Sequence, residues 1–227
     1  RGSGRCNTAR RMDATAPEWG KAALVTIDVQ VDTLDGQPLE VPGTSAALPA
    51  MAELCAAARS ASRPIVHVVR LYLADGSNAE LSRRELVRGP EPVLRPGTPG
   101  RMLAPELLDG PSPELDDRLL LDGGIQHLGP NEFALYKPRW GAFYDTPLDA
   151  HLRGLGVSTL VFAGCNFPNC PRTSIYEASE RDYRTVLAVD AVSGAYDRGL
   201  AELAGIGVHL LTVDEIEASL GGSARGA

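Results

Sequence analysis

Short apolar runs alternate with helix-forming segments along most of this chain. The runs are rich in Val, Leu and Ala, which is typical of strands covered on both faces of a sheet. Strands separated by helices join in parallel, and the helices cover the two faces. The pattern therefore predicts an α/β fold, a three-layer αβα arrangement around a six-stranded parallel, Rossmann-like sheet. The predicted strands are Ala22–Val29, Pro64–Leu71, Glu132–Lys137, Val157–Ala163, Thr185–Val189 and Val208–Thr212.

Predicted helices lie between these strands, and no internal repeat or second domain is visible. We expect one domain over residues 19–221, between a flexible N-terminal tail, 1–18, and a C-terminal tail, 222–227. Within the domain, prolines repeatedly break residues 74–130, which we expect to form an irregular insert. Long loops of this kind are usually lids or interface arms, so the insert is expected to shape a pocket or a subunit interface. The predicted helices are Ser45–Ala61, Asn78–Val87, Pro147–Leu155, Cys170–Tyr183, Arg198–Ala204 and Asp214–Leu220.

Composition narrows the possible partners. The 227 residues are 44% hydrophobic and carry a formal net charge of −7, which argues against nucleic acid or an anionic membrane as the main partner. No run approaches a membrane-spanning length, and residues 1–18 lack the apolar core of a signal peptide. We therefore expect a cytoplasmic protein whose four cysteines, Cys6, Cys55, Cys165 and Cys170, are free thiols.

Cys170 lies where a predicted strand passes into a predicted helix, next to Pro171. Proline favours the first helical positions. A thiol at a helix N-terminus is close to the positive end of the helix dipole, which favours the nucleophilic thiolate. We therefore predict that Cys170 is the nucleophile in covalent catalysis. The alternative is an inert, buried cysteine.

Two further polar residues end apolar runs in the same way. Asp28 follows the run 22–27, and Lys137 follows the run 133–136. Ligands of open parallel sheets bind at the carboxyl ends of the strands, so an acid, an amine and a thiol could meet in one crevice. An acid is costly to bury unless it is paired, and we predict that Asp28 is a general base. The alternatives are a turn residue for Asp28 and a surface position for Lys137.

Three motifs in this chain resemble those of the isochorismatase-like cysteine hydrolases. Each follows a predicted strand, and their order is that of the family. The similarity extends from Lys21 to Val213, and the run Gly164–Tyr183 is most similar to the streptothricin-hydrolase-like branch. The motifs are Asp28-Val29-Gln30, then Lys137-Pro138-Arg139-Trp140-Gly141-Ala142-Phe143 with Thr146-Pro147-Leu148, and Gly164 followed six residues later by Cys170.

The resemblance implies roles for individual residues. Lys137 would stabilise and orient both the carboxylate and the thiolate. A cis peptide bond between Cys165 and Asn166 would accompany an oxyanion hole made by the N–H groups of Asn166 and Cys170. Because Phe167-Pro168 replaces the family's usual small or Thr-containing residues, the bond between these two is an alternative cis position. The resemblance also implies a homo-oligomer, either a dimer or a tetramer.

Several residues near the motifs are predicted to bind substrate, with core packing or a surface position as the alternative. They are Gln30, Arg139, Trp140, Phe143 and Phe167. Nicotinamidases of the family carry an Asp and two His metal ligands after the second strand. The segment 71–77 has no His, so we expect no catalytic metal and no cofactor.

These observations together predict a cysteine hydrolase that cleaves a C–N bond of a small amide or cyclic amide, such as the streptothricin lactam, through a Cys170 thioester. One alternative is hydrolysis of a vinyl ether, as in isochorismatases, with Arg139 and Arg172 as cationic groups for an anionic substrate. Another is a non-catalytic binding or assembly protein, because fold alone does not fix function.

Overall fold

A computed structural model describes residues 13–224 of the chain. Its strands are β1 (Ala22–Ile27), β2 (Ile65–Val69), β3 (Ile125–Gly129), β4 (Glu132–Tyr136), β5 (Thr159–Gly164), β6 (Arg184–Val192) and β7 (His209–Leu211). They form one sheet in the order β3-β4-β2-β1-β5-β6-β7. The six strands predicted from the sequence are parallel to one another, which confirms the predicted fold class.

Helices cover both faces of the sheet. They are α1 (Thr44–Ser60), α2 (Arg84–Val87), α3 (Asp117–Leu121), α4 (Leu148–Gly154), α5 (Cys170–Ser179), α6 (Asp197–Ala204) and α7 (Val213–Ala224). On one face, α1 and α7 pack through side chains such as Met51 and Ile216. On the other, α4, α5 and α6 pack through Leu152, Ile175 and Leu203. The central strands are therefore buried on both sides, which explains their continuous apolar sequences.

The seventh strand, β3, corrects the predicted strand count. It lies in the proline-rich insert, pairs antiparallel with β4, and is half-exposed at the edge of the sheet. An exposed edge strand needs few apolar residues, so its sequence gave no signal of burial. The insert is also less helical than predicted near its start, because a 3-10 turn at Leu81–Arg83 and the short α2 replace the expected helix over 78–87.

Both termini of the domain extend beyond the predicted boundaries. Within residues 13–18, assigned to the N-terminal tail, the N–H of Glu18 donates to Thr159 Oγ1 at 2.8 Å. At the other end, α7 continues to Ala224, past the predicted boundary at residue 221. Cys6 lies outside the described residues. No helix in the described part of the chain is long and apolar enough to cross a membrane.

Candidate active site

Asp28 lies directly after β1, where the backbone turns away from the sheet. Its φ of 55° is in the left-handed region, which Asp tolerates better than most residues. Its N–H still donates to Val68 O at the end of β2, so the turn is fixed against the neighbouring strand. The carboxylate is buried, and Oδ2 is 2.8 Å from Lys137 Nζ.

Lys137 follows β4, which is two strands away from β1 because β2 lies between them. Neighbouring strands are about 4.8 Å apart, so a group after β4 must span about 10 Å to reach the end of β1. The long lysine side chain does so, and its ammonium also donates to Arg139 O at 3.2 Å. Lys137 is 0% exposed. A buried ammonium requires a compensating charge, which Asp28 provides.

Cys170 is the first residue of α5, and Pro171 is the second. The loop leading to it begins at Gly164, whose φ is 121° and where an added Cβ would lie 2.2 Å from Ile27 O. Only glycine allows β5 to lie this close to β1 before the chain turns. The cis bond lies between Cys165 and Asn166, at the first of the two predicted positions, and Phe167–Pro168 is not among the cis bonds of the described residues.

The carboxylate and the thiol share one small cavity. Asp28, Cys165, Asn166 and Cys170 line it from the carboxyl edge of the sheet. Its volume is about 10 Å³, which is room for about one water molecule. A substrate can enter only if surrounding side chains move. A larger cavity of about 370 Å³, beside Glu132 at the start of β4, lies at the opposite edge of the sheet.

The surroundings of Cys170 oppose the thiolate that its position at a helix end favours. Burial and the negative charge of Asp28 raise the pKa of Cys170 to about 12, and they outweigh the positive charges of Lys137 and Arg70. Cys170 is only 3% exposed, and the position at a helix N-terminus does not compensate for this loss of hydration. Asp28 Oδ1 has no hydrogen-bond partner among the described residues, so it is available to accept the thiol proton.

Two backbone donors are also free beside the thiol. Within residues 13–224, neither the N–H of Asn166 nor that of Cys170 donates to a protein acceptor. For Cys170 this follows from its position, because the first N–H groups of a helix have no intrahelical acceptor. The next N–H along the chain, that of Phe167, is already bound to Ser193 O at 2.8 Å. The two predicted oxyanion-hole donors are therefore unoccupied.

Gln30, predicted to bind substrate, uses its side-chain amide to bind the backbone instead. Its side chain is fully buried, and both ends of the amide bind backbone groups. Nε2 donates to Arg70 O at 3.0 Å and to Arg101 O at 2.6 Å, while Oε1 accepts from the N–H of Arg70 at 2.8 Å. Gln30 therefore connects the end of β2 to the insert, and no polar atom of its side chain is left for a ligand.

The other predicted substrate-binding residues do not line the cavity. Arg139 Nη1 donates to the backbone carbonyls of Asn78 and Pro138. The rings of Phe143 and Phe167 are buried in the core, against Tyr183 and Tyr196 respectively. These aromatic residues support the site by packing.

Trp140 contacts the cavity indirectly, through an arginine that the sequence did not single out. The guanidinium of Arg83 lies 4.7 Å from the centre of the Trp140 ring, and Arg83 lines the cavity. Arg70, which also lines the cavity, was missed although it follows β2 directly. The rule that polar residues at strand ends converge would have found Arg70. Arg83 lies in the irregular insert, where no periodic pattern placed it.

No metal-binding cluster is present among the described residues. They contain no group of three or more His, Cys, Asp or Glu side chains arranged to hold a metal ion. The expectation that the reaction uses no catalytic metal remains a prediction.

Comparison with known proteins agrees with this geometry. The model of the isochorismatase domain matches residues 22–117 and 123–215. A probable inactive nicotinamidase of Arabidopsis thaliana is 29% identical over 88% of this chain and 96% of its own. A ureidoacrylate amidohydrolase of Methylobacterium radiotolerans is 28% identical over 86% of this chain and 76% of its own. A maleamate amidohydrolase of Pseudomonas putida is 31% identical over 76% of this chain and 72% of the amidohydrolase.

Solved structures show the same architecture. A crystal structure of an isochorismatase family protein from Desulfovibrio vulgaris superposes with a TM-score of 0.75 and 30% sequence identity. The match covers 88% of this chain and 98% of the other. The two proteins therefore share this fold over most of their lengths.

Proposed function

This chain belongs to the isochorismatase family of hydrolases, and we propose that it cleaves a C–N bond of a small amide or cyclic amide through a thioester on Cys170. One observation carries the proposal. Asp28 binds Lys137 through one carboxylate oxygen and leaves the other unpaired in a cavity that it shares with the Cys170 thiol. This arrangement suits a general base beside its nucleophile.

Acylation begins with the neutral thiol. As Sγ of Cys170 attacks the amide carbonyl carbon, its proton passes to Asp28, so that the site does not hold two adjacent buried anions. The carbonyl oxygen gains the negative charge and accepts hydrogen bonds from the N–H groups of Asn166 and Cys170. The C–N bond then breaks, and Asp28 returns the proton to the leaving nitrogen. The products are an amine or ammonia and a Cys170 thioester.

Deacylation reverses these roles. A water molecule attacks the thioester carbonyl while Asp28 accepts one of its protons. The C–S bond breaks, the carboxylic acid leaves, and Asp28 returns the proton to the sulfur. Lys137 remains charged throughout and holds the carboxylate in place. The relatives named as amidohydrolases support this chemistry.

Arg83 favours a substrate that carries a carboxylate. Its guanidinium lines the cavity, stacks on Trp140 and donates to Tyr72 Oη at 3.2 Å. It has no carboxylate partner in the described part of the chain. An anionic amide therefore suits the site better than the cationic streptothricin lactam suggested by the sequence, and ureidoacrylate and maleamate are themselves anions.

Vinyl-ether hydrolysis is less well supported. Arg139 and Arg172, its proposed cationic groups, lie elsewhere, and Arg172 binds Glu202 and Tyr196. An enol ether is hydrolysed by protonation at carbon, which needs neither a thiol nor an oxyanion hole. A thiol beside a carboxylate, with the unbound N–H groups of Asn166 and Cys170 next to it, also argues against a non-catalytic binding protein.

We also propose that the protein is a homo-oligomer. Leu81 is 80% exposed, and Leu86 and Tyr144 are exposed too, so a second copy that covers them would gain by removing apolar surface from water. Light scattering after size-exclusion chromatography should give a mass of at least twice that of one chain. A single-chain mass at micromolar concentration would contradict this.

A panel of amides tests the proposed reaction. Each carboxylate-bearing amide is paired with its neutral methyl ester, and release of ammonia or amine is measured. We expect turnover of carboxylate-bearing members, lost in Cys170→Ala and Cys170→Ser. Arg83→Met should raise KM for the anionic members about tenfold or more while leaving the neutral members little changed. Turnover retained by Cys170→Ala would refute the mechanism.

A further inference from the structure

Arg70 is a second buried cation beside the candidate catalytic groups. It follows β2, lies between the ends of β1 and β4, lines the cavity, and is only 2% exposed. Burial opposes its charge, but Tyr72, Glu80 and Asp28 outweigh that effect, so the pKa of Arg70 is raised. The mechanism above gives it no role. A fully buried guanidinium is costly and needs a physical reason.

Its contacts fix the backbone that carries Lys137. Arg70 Nη1 donates to Lys137 O at 2.9 Å and to Arg139 O at 3.0 Å. The same Arg139 carbonyl accepts from Lys137 Nζ. Arg70 therefore holds the two carbonyls that bracket the lysine turn, and one of them also orients the ammonium that binds Asp28.

The other end of the guanidinium connects to the insert. Arg70 Nη2 binds both carboxylate oxygens of Glu80 at 2.5 Å. Glu80 lies in the segment 79–94, which also contributes Arg83 and Leu94 to the cavity wall. Glu80 therefore places a negative charge directly against Arg70, on the side of the guanidinium that faces the insert.

We propose that Arg70 is a positioning residue for the hydrolase reaction, acting in two ways. Its rigid fork fixes Lys137 and hence the Asp28 carboxylate, and its positive charge, partly offset by Glu80, acts on the Cys170 thiol that lines the same cavity. The inference rests on the proposed function for its effect on turnover, but the effect on the thiol can be measured without any substrate. Arginine suits this task because its planar fork holds several acceptors at once, which lysine cannot do.

Two variants separate charge from access. Glu80→Gln removes the negative charge beside Arg70 and leaves the guanidinium in place. A more positive neighbour stabilises thiolate, so iodoacetamide should label Cys170 about threefold faster at pH 8, corresponding to a shift of about 0.5 unit. The matched control, Arg70→Met with Glu80→Met, removes both charges while disturbing the same segment. It should label no faster than the wild type.

Labelling is read by mass spectrometry on the tryptic peptide 154–172, and fragmentation distinguishes Cys165 from Cys170. Faster labelling in Glu80→Gln alone supports the inference. Faster labelling in both variants would mean only that the cavity has opened. Equal or slower labelling in Glu80→Gln would mean that the charge of Arg70 does not affect the Cys170 thiol. Either result overturns the inference about that charge.

Turnover tests the positioning role separately. The double variant and Arg70→Lys should each lower kcat about tenfold or more with a change in KM below about threefold, because Lys137 is no longer held by the fork. If the double variant does not fold, Arg70→Lys decides alone, and an unchanged kcat overturns the positioning role. If the wild type hydrolyses no amide, the proposed function fails, while the labelling pattern still decides whether the charge of Arg70 reaches Cys170.

Discussion

Gly164 offers the sharpest test of how the sheet positions the loop that carries the thiol. It pairs with Ile27 in the sheet, and a Cβ at this position would lie 2.2 Å from Ile27 O and 2.6 Å from Ile27 N. That carbonyl cannot move away freely, because it accepts a hydrogen bond from the N–H of Cys165 at 2.9 Å. Gly164→Ala must therefore separate β1 from β5 at the point where the loop begins.

The size of the effect can be estimated from two contributions. The backbone conformation, with φ at 121°, costs a non-glycine residue about 1–3 kcal/mol. The clash with fixed backbone atoms adds to this, so we expect a total loss of about 3 kcal/mol or more in the free energy of unfolding. This is a large part of the about 5–15 kcal/mol that stabilises a typical domain.

Two other glycines provide matched controls. Gly156 has a φ of 70° with nothing within 4 Å of an added Cβ, so Gly156→Ala should cost only the conformational term, about 1–2 kcal/mol. Gly154 ends α4 in open space, and Gly154→Ala should be neutral or stabilise by about 0.5 kcal/mol. Urea denaturation of the three variants measures the differences. A loss in Gly164→Ala no greater than in Gly156→Ala would refute the reasoning.

Three further predictions follow from the charges. Asp28→Asn should lower kcat about a hundredfold or more in the amide assay because the proton acceptor is lost, and unchanged turnover would contradict the role of the base. Since the pKa of Cys170 is raised to about 12, its alkylation rate should rise about tenfold per pH unit from pH 7 to 9; a plateau below pH 9 would show an ionised thiol. Burial opposes ionisation of Glu132, but hydrogen bonds from His67 and Arg59 hold its pKa at about 2, below its ordinary 4.5. The lowered pKa stabilises the folded state above about pH 4.5, and this stabilisation is lost as the pH falls towards 2. Glu132→Gln should therefore lose less stability than the wild type between pH 5 and 3. Equal changes in the urea midpoints of the two proteins would contradict this role of Glu132.

The meeting of Asp28, Lys137 and Cys170 could be predicted because strand ends of a parallel sheet share one edge. Each residue follows an apolar run, and the sheet order places β1 beside β5. Arg70 obeys the same rule and could have been found with it.

Other features depend on how deeply a side chain is buried and on irregular segments. The periodic pattern of the sequence predicts neither of these. The raised pKa of Cys170 follows from its burial and from the charge of Asp28, neither of which its position at a helix end reveals. Gln30 follows Asp28 in the motif, yet the turn directs its amide to backbone groups of Arg70 and Arg101. Arg83 lies in a segment without regular spacing, and only the folded chain places it at the cavity.

The central claim is that Cys170 carries the acyl group. The probes are activated esters of the carboxylic acids that the enzyme releases from its amide substrates. Such an ester should acylate Cys170 faster than water removes the acyl group, so the intermediate accumulates. Rapid acid quench followed by mass spectrometry should then show the peptide 154–172 heavier by one acyl group, with the modification on Cys170 and absent in Cys170→Ala. Hydrolysis that proceeds with no adduct at Cys170, or with the adduct on another residue, would contradict the account.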